Sequence, residues 1–499
     1  MEKEFIEQQT TQNKTTERKT MENETMENET MYNEIMDDEK PMQPENKMGV
    51  QPIKKLLLTM SIPMMLSMLV QALYNVVDSI FVAQISNVDD YALRAVSLAF
   101  PIQSLMFSFA GGTAVGINAF ISKSLGEKEF QKANDTATNG IFLEVLSFIL
   151  FFFVGLFCSR PFFRSLSPIP EVQEYGVTYL SICCMASLGM FMQFTFDRML
   201  QSTGKTHFSM YTQLGGAITN LIFDPLLIFG LGPFPKMGVT GAAVATVLGQ
   251  WVAGGLAIFF QIRFNREVLI SFKGFQPKPE LIKRIYAVGA PSIVMMSIGS
   301  VMTYGLNKIL AVFGSAQTVF GIYFKLQSFV FMPVFGLNNG MVPIIAYNFG
   351  AGKKERVIET LKTAILYALV IMALGIAVME IFPDKLIGFF NPTPETLAQG
   401  VPALRTICLS FLFAGYCIIT GSMFQALGNG TYSMIISIAR QLIVLLPAAY
   451  LLSLSGNVDL IWWAFPLAEF MSVAMTSFFL YRIYRKVIVK IGKEQWKNY

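Results

Sequence analysis

Of 499 residues, 53% are hydrophobic and only 14% are charged. A soluble globular chain carries about a quarter charged residues, so an ordinary water-facing domain is excluded. The net charge of +4 is no footprint of a nucleic-acid partner, and charge informs here only through its distribution.

Residues 1–50 are polar and repetitive, with Met-Glu-Asn-Glu-Thr at 21–25 and again at 26–30. They hold no apolar core of a signal peptide and too little apolar surface to offset chain entropy. A disordered cytoplasmic tail is expected there. Long apolar runs follow near 56–83, 92–118, 136–158, 175–199, 208–231, 239–262, 284–306, 315–345, 360–382, 402–427, 433–455 and 460–482. Each approaches or exceeds the roughly 20 residues that carry a helix across about 30 Å of hydrocarbon. A β-barrel would show short alternating segments instead. Twelve membrane helices are predicted. A basic stretch at 263–283 with Pro277 and Pro279 separates an N-terminal bundle, 51–262, from a C-terminal bundle, 284–486; a basic tail closes the chain over 487–499.

The two bundles resemble each other. Ser61-Ile62-Pro63 has a counterpart in Gly289-Ala290-Pro291, and Gln103-Ser104 with Gly112 in Gln327-Ser328 with Gly336. Gly126-Glu127-Lys128-Glu129 parallels Gly352-Lys353-Lys354-Glu355, and Pro225 parallels Pro447. Four matches in order at nearly constant spacing argue for duplication. Each half has an even number of helices, so both insert in the same orientation, related by a pseudo-two-fold axis along the membrane normal. The fold class is an all-α membrane protein with twelve transmembrane helices in two pseudo-two-fold-related six-helix bundles, a plan suited to transport.

Lys and Arg crowd one set of loops and the C-terminal tail. The opposite loops hold Arg94, Arg160, Arg164, Lys236 and Lys385. The positive-inside bias puts both termini in the cytoplasm and the chain in the cell inner membrane.

Acids inside a bilayer need a reason, because each costs at least about 2.5–3.5 kcal/mol on insertion scales. Six lie in or at the ends of the predicted helices: Asp78, Glu144, Asp197, Asp224, Glu380 and Glu469. Asp197 is expected to pair with its neighbour Arg198, Glu380 to reach the interface, and Glu144 to sit near a cytoplasmic helix start in a structural role. Asp78 shares a helical face with Asn75, and Asp224 with Asn220. Pro225 frees the Leu221 carbonyl and favours a bend beside Asp224. Desolvation favours the neutral form of such carboxyls, which suits proton exchange, and the same oxygens suit a hard cation such as Na⁺. Helix-to-helix hydrogen bonding is the plainer alternative. Arg440 and Glu469 are placed to pair across the second bundle.

Other features carry less. The five cysteines lie in or beside apolar runs as packing residues, and His207 reads as structural or solvated. Gly204-Lys205-Thr206 ends like a phosphate loop, but Met199 stands where its first glycine belongs. Asp89-Asp90 is a lone acidic pair, which speaks against a prenyl-transfer enzyme.

The segments Asn75–Asp78, Gly111-Gly112 with Gly116, Ser124–Glu127, Asn220–Pro225 and Gly238–Thr246 resemble the multidrug and toxic compound extrusion (MATE) family. So do Pro333–Pro343, Tyr347–Gly352, Phe424–Gly428 and Arg440-Gln441. The resemblance runs over roughly 53–485 and looks closest to the MepA-like prokaryotic branch. It implies two six-helix bundles in a V, the MATE fold. The activity implied is export of small-molecule drugs, often lipophilic cations, by H⁺ or Na⁺ antiport, without enzymatic chemistry or any cofactor beyond the coupling ion. It implies ion coupling at Asp78, Asn75, Asp224 and Asn220, with Na⁺ as the alternative occupant, and substrate binding at Tyr74, Asp78, Asn220, Asp224 and Thr246. A helix-7 acid found in one branch of the family is missing between Ala287 and Leu306. The protein is expected to act as a monomer. A lipid-linked precursor flippase is the rival, with Lys308, Lys325 and Arg440 as its only candidates for a cationic cavity.

Overall fold

A computed structural model of the chain describes residues 46–83, 85 and 91–492. Among the described residues all regular structure is helical. Ten helices are long and apolar enough to cross a membrane: α1 Ile53–Ala83, α2 Tyr91–Gly126, α3 Phe130–Leu166, α5 Thr206–Phe229, α6 Val239–Phe264, α7 Pro279–Leu310, α8 Ala316–Gly350, α9 Lys354–Ile381, α11 Gly430–Ser453 and α12 Val458–Lys490. Two more spans are bent: α4 joins Pro170–Met185 to Leu188–Ser202 at 44°, and α10 joins Pro394–Cys408 to Phe411–Ala426 at 47°. Counting each bent pair as one span gives the twelve expected.

A serine back-bonds at each bend. Ser187 Oγ donates to the Cys184 carbonyl at 2.7 Å, and Ser410 Oγ to the Ile407 carbonyl at 2.7 Å. A hydroxyl that back-bonds three residues away takes an acceptor from the helical ladder. The bends occupy equivalent places in the two halves. Two π-helical stretches have no such equivalence: Val154–Cys158 in α3, and Ala439–Leu445 in α11, which carries Arg440 and Gln441. Pro447 follows the second and cannot donate to the Ile443 carbonyl, which helps to loosen the ladder there.

The halves meet chiefly through α1 and α2 on one side and α7 and α8 on the other. Glycines let these backbones touch, and their contacts are reciprocal. A Cβ on Gly112 of α2 would stand 2.5 Å from Ile293 of α7, and one on Gly336 of α8 would stand 2.5 Å from Met65 of α1. A Cβ on Gly126 would meet the Tyr347 carbonyl, and one on Gly350 the Lys123 carbonyl. A Cβ on Gly116 would approach Gly289, and one on Gly340 would approach Ser61. In each case the two glycines exchange and so do their partners, which is what a pseudo-two-fold relation requires; the contacts pair Gly126 with Gly350 and so correct by two residues the match of Gly126 with Gly352 read from the sequence.

Lys47–Val50 is a helical turn packed into the fold, with Met48 fully buried. The Met48 carbonyl accepts from Asn348 at 2.9 Å and from Arg356 at 3.0 Å. The disorder expected over 1–50 therefore does not reach these residues, because one methionine and its backbone find partners on α8 and α9. Residues 1–45 of that tail, together with Asp89 and Asp90, lie outside the described residues. The 263–283 linker is also shorter than expected, since α7 begins at Pro279.

Candidate functional site: a carboxyl pair between α1 and α5

Asp224 lies on α5 beside Pro225 and is 1% exposed. Its carboxyl lies beside that of Asp78 on α1, within hydrogen-bonding and electrostatic reach. One oxygen of Asp78, Oδ1, is buried with no hydrogen-bond donor among the described residues. Asn220, one turn before Asp224, is 2% exposed. In the amide orientation that satisfies both its ends, Asn220 Nδ2 donates to Asp224 Oδ2 at 2.7 Å. Its Oδ1 then accepts from the Thr246 N–H at 3.2 Å. Gly249 of α6 makes this reach short, since a Cβ there would be only 3.2 Å from the Asn220 Cβ. Thr246 thus joins the cluster through its backbone. Tyr74 and Asn75 lie on α1, and their side chains are outside the described residues.

The pair has neighbours that sequence reasoning did not assign to it. Gln103 Nε2 of α2 approaches the Tyr179 hydroxyl of α4 at 3.5 Å, and Cys183 lies beside both and within electrostatic reach of Asp78. Gln103 stood out in the sequence only as a repeat marker, and Cys183 only as a packing residue. Chemically, two carboxyls in hydrogen-bond contact need a proton between them, since two like charges at that range repel. The arrangement can bind and release one cationic charge.

The remaining acids divide. Asp197 is not held by Arg198 contact: Thr212 and Gln213 of α5 donate to its carboxylate. Arg198 instead donates at 2.9 Å to Gln201 and, across the seam, at 2.9 Å to Asn339 of α8. The two neighbours stay within electrostatic reach but make no direct ion pair, because consecutive helical residues point apart. Glu380 accepts from Cys408 at 3.4 Å and pairs with Arg405 at 3.7 Å. Glu469 pairs with Arg440 at 2.9 Å, as its position suggested. Glu144 departs from expectation, lying fourteen residues beyond Phe130 at the start of α3 and fully buried. The three cations of the rival reading are engaged separately: Arg440 by Glu469, Lys308 over the Tyr304 ring and Lys325 over the Phe390 ring.

The MatE family model matches the chain twice, over residues 63–226 and 291–451, once on each side of the basic linker. The chain belongs to the MatE family. It is 27% identical over 438 residues to the multidrug export protein MepA of Staphylococcus haemolyticus, covering 88% of this chain and 95% of that one. It is 26% identical over 404 residues to the MepA of Staphylococcus saprophyticus, covering 81% and 88%. A solved structure described as the outward-facing conformation of a multidrug resistance MATE family transporter of the MOP superfamily superposes with a TM-score of 0.84 at 24% identity. It covers 91% of this chain and all of that one. The fold is the MATE fold, and as a MATE transporter the chain is a multi-pass membrane protein and not an enzyme.

Proposed function

We propose that this transporter exports small lipophilic compounds, cationic ones among them, in exchange for protons bound at the Asp78–Asp224 pair. The contact between the two carboxyls carries the reading. It calls for a bound proton, and Asn220 can donate to Asp224 when that proton leaves. The MepA relatives, named multidrug export proteins, support drugs as the substrate class. A cationic drug and a proton compete for the same negative charge, so binding one favours release of the other. Their different affinities for the two facings of the molecule then drive alternating access. The basic loops face the cytoplasm, with both termini, and the membrane is the cell inner membrane. The separately engaged Arg440, Lys308 and Lys325 leave a flippase without a shared cationic cluster. Na⁺ remains the competing coupling ion, and its test is direct.

Ethidium efflux from an energised, pump-deficient host expressing the chain tests this. Asp78→Asn and Asp224→Asn are each expected to reduce efflux to the host background. Collapse of ΔpH alone is expected to stop efflux, and removal of Na⁺ to leave it unchanged. Intact efflux in both variants, or loss on Na⁺ removal alone, would end the proposal.

A further inference from the structure

Glu144 is fully buried, and neither of its carboxyl oxygens has a hydrogen-bond partner among the described residues. It lies where α3 packs against α2 and, across the seam between the halves, against α7. Tyr286 of α7 sets its hydroxyl against Thr113 of α2 and Ser147 of α3, within electrostatic reach of Glu144 but not bonded to it. Thr113 is itself fully buried. The cover over these groups is the seam. Gly116 admits the Ile285 carbonyl, next to Tyr286, and Gly289 lies 3.4 Å from the Thr113 Cα as a Cβ would see it. Gly116 and Gly289 thus let α7 close directly over the carboxyl.

Tyr286 is the titratable group within reach of Glu144, and the nearest charged residues with described partners on the elements packed around it are directed elsewhere. Arg284 of α7 lies over the Phe120 ring at 5.6 Å. Lys123 of α2 pairs with Glu127 at 3.7 Å, and Lys132 of α3 with Glu129 at 2.6 Å. On α4, Arg198 is held by Gln201 and Asn339, and Asp197 by Thr212 and Gln213. A charged carboxylate with neither donor nor cation is not tolerated in such a place, whereas a neutral acid is. When α7 parts from α2 and α3, water reaches the carboxyl and the ionised form becomes accessible.

We propose that Glu144 is a second proton-binding site, which takes up one proton as α7 closes on α2 and α3 and releases it as the seam parts. The step is a simple protonation of the carboxylate, with no bond to any other group. It rests on the alternating-access reading but not on Asp78 and Asp224 as the coupling pair. The proton is taken from and returned to the same face, so it crosses no membrane and leaves the transport stoichiometry unchanged. Its effect is to make seam closure depend on the pH of the basic face.

Spin labels at Gln131→Cys of α3 and Glu359→Cys of α9, in a Cys158→Ser background, report the seam by pulsed electron resonance across a pH series in nanodiscs. For the parent residue at 144, the closed-to-open ratio is expected to rise as pH falls, by at most about tenfold per unit for one proton. Glu144→Gln is expected to stay closed at every pH. Asp78→Asn with Asp224→Asn is expected to keep the parental pH response even where efflux is lost, which separates this site from the coupling pair. A parental pH response in Glu144→Gln, or a pH-independent parent, would overturn the proposal. Should Glu144→Gln not fold, Glu144→Asp carries the test: a displaced midpoint supports the site, and an unmoved one refutes it.

Discussion

In the N-terminal half, Asp78 of α1 faces Asp224 of α5. The repeat register carries these two positions to Leu306 of α7 and Leu446 of α11. There the surroundings are apolar: Leu306 is fully buried, and Leu446 packs so close to the neighbouring Gly305 that a Cβ on the glycine would stand 2.9 Å from a leucine methyl. The halves also share their serine bends and their reciprocal glycine contacts, down to the partner residues. The scaffold was therefore duplicated with its packing, while the carboxyl chemistry is present in one copy only. The second half has its own polar feature, the Arg440–Glu469 pair on a π-helical stretch, and it stands at no position equivalent to the acids of the first.

The largest effect should come from giving the first half the second half's contact. Asp78→Leu combined with Asp224→Leu removes every proton-binding oxygen of the pair and leaves two leucines where the C-terminal half already packs two. Efflux is expected to vanish while the fold persists. Replacing buried polar partners by apolar ones of similar volume is often neutral or stabilising by about 1–4 kcal/mol. Thermal unfolding in detergent alongside cell-based efflux checks both halves of this expectation, and a double variant that still pumps would remove the carboxyls from the mechanism.

The next effect tests whether the C-terminal pair is structural. Arg440→Ala leaves Glu469 charged and mostly buried without its cation, a change that costs about 3–5 kcal/mol when a buried pair loses one member. Arg440→Met with Glu469→Leu is expected to recover that stability and to retain efflux. Loss of efflux in a stable double variant would instead show that the second half takes part in ion or substrate binding.

The sequence made much of this legible, for physical reasons that also mark its limits. The twelve spans show because lipid demands long apolar runs, and the duplication shows because glycines at backbone contacts tolerate no substitute: Gly112 and Gly336, noticed as repeat markers, are seam contacts. Asp78 and Asp224 stood out because charge in an apolar run is rare. Their direct contact was hidden, since nothing in a linear pattern says how far two helices rotate toward each other. Glu144 was misjudged by the same blindness. A carboxyl placed near a helix start gives no sign of full burial until α7, from the other half of the chain, is laid over it. Lys47–Val50 was missed because four residues hold no periodicity, and their burial comes from Asn348 and Arg356, some 300 residues away.

The smallest effect concerns the bends, where the two halves look most alike and still differ. Ser187→Ala and Ser410→Ala each remove one buried hydroxyl bond, worth about 0.5–1.5 kcal/mol net. In the first half, however, the Trp251 indole of α6 donates to the Ala186 carbonyl at 2.9 Å, and so holds the broken end of α4 independently of the serine. Ser187→Ala is therefore expected to fall at the low end of that range and Ser410→Ala at the high end. Adding Trp251→Phe to Ser187→Ala should close the gap, and a double-mutant cycle measures it, because the two donors serve one helix break and their losses are not independent. If Ser187→Ala alone costs as much as Ser410→Ala, the indole bond is a surface contact with no part in the bend, and the two halves are equivalent at this position after all.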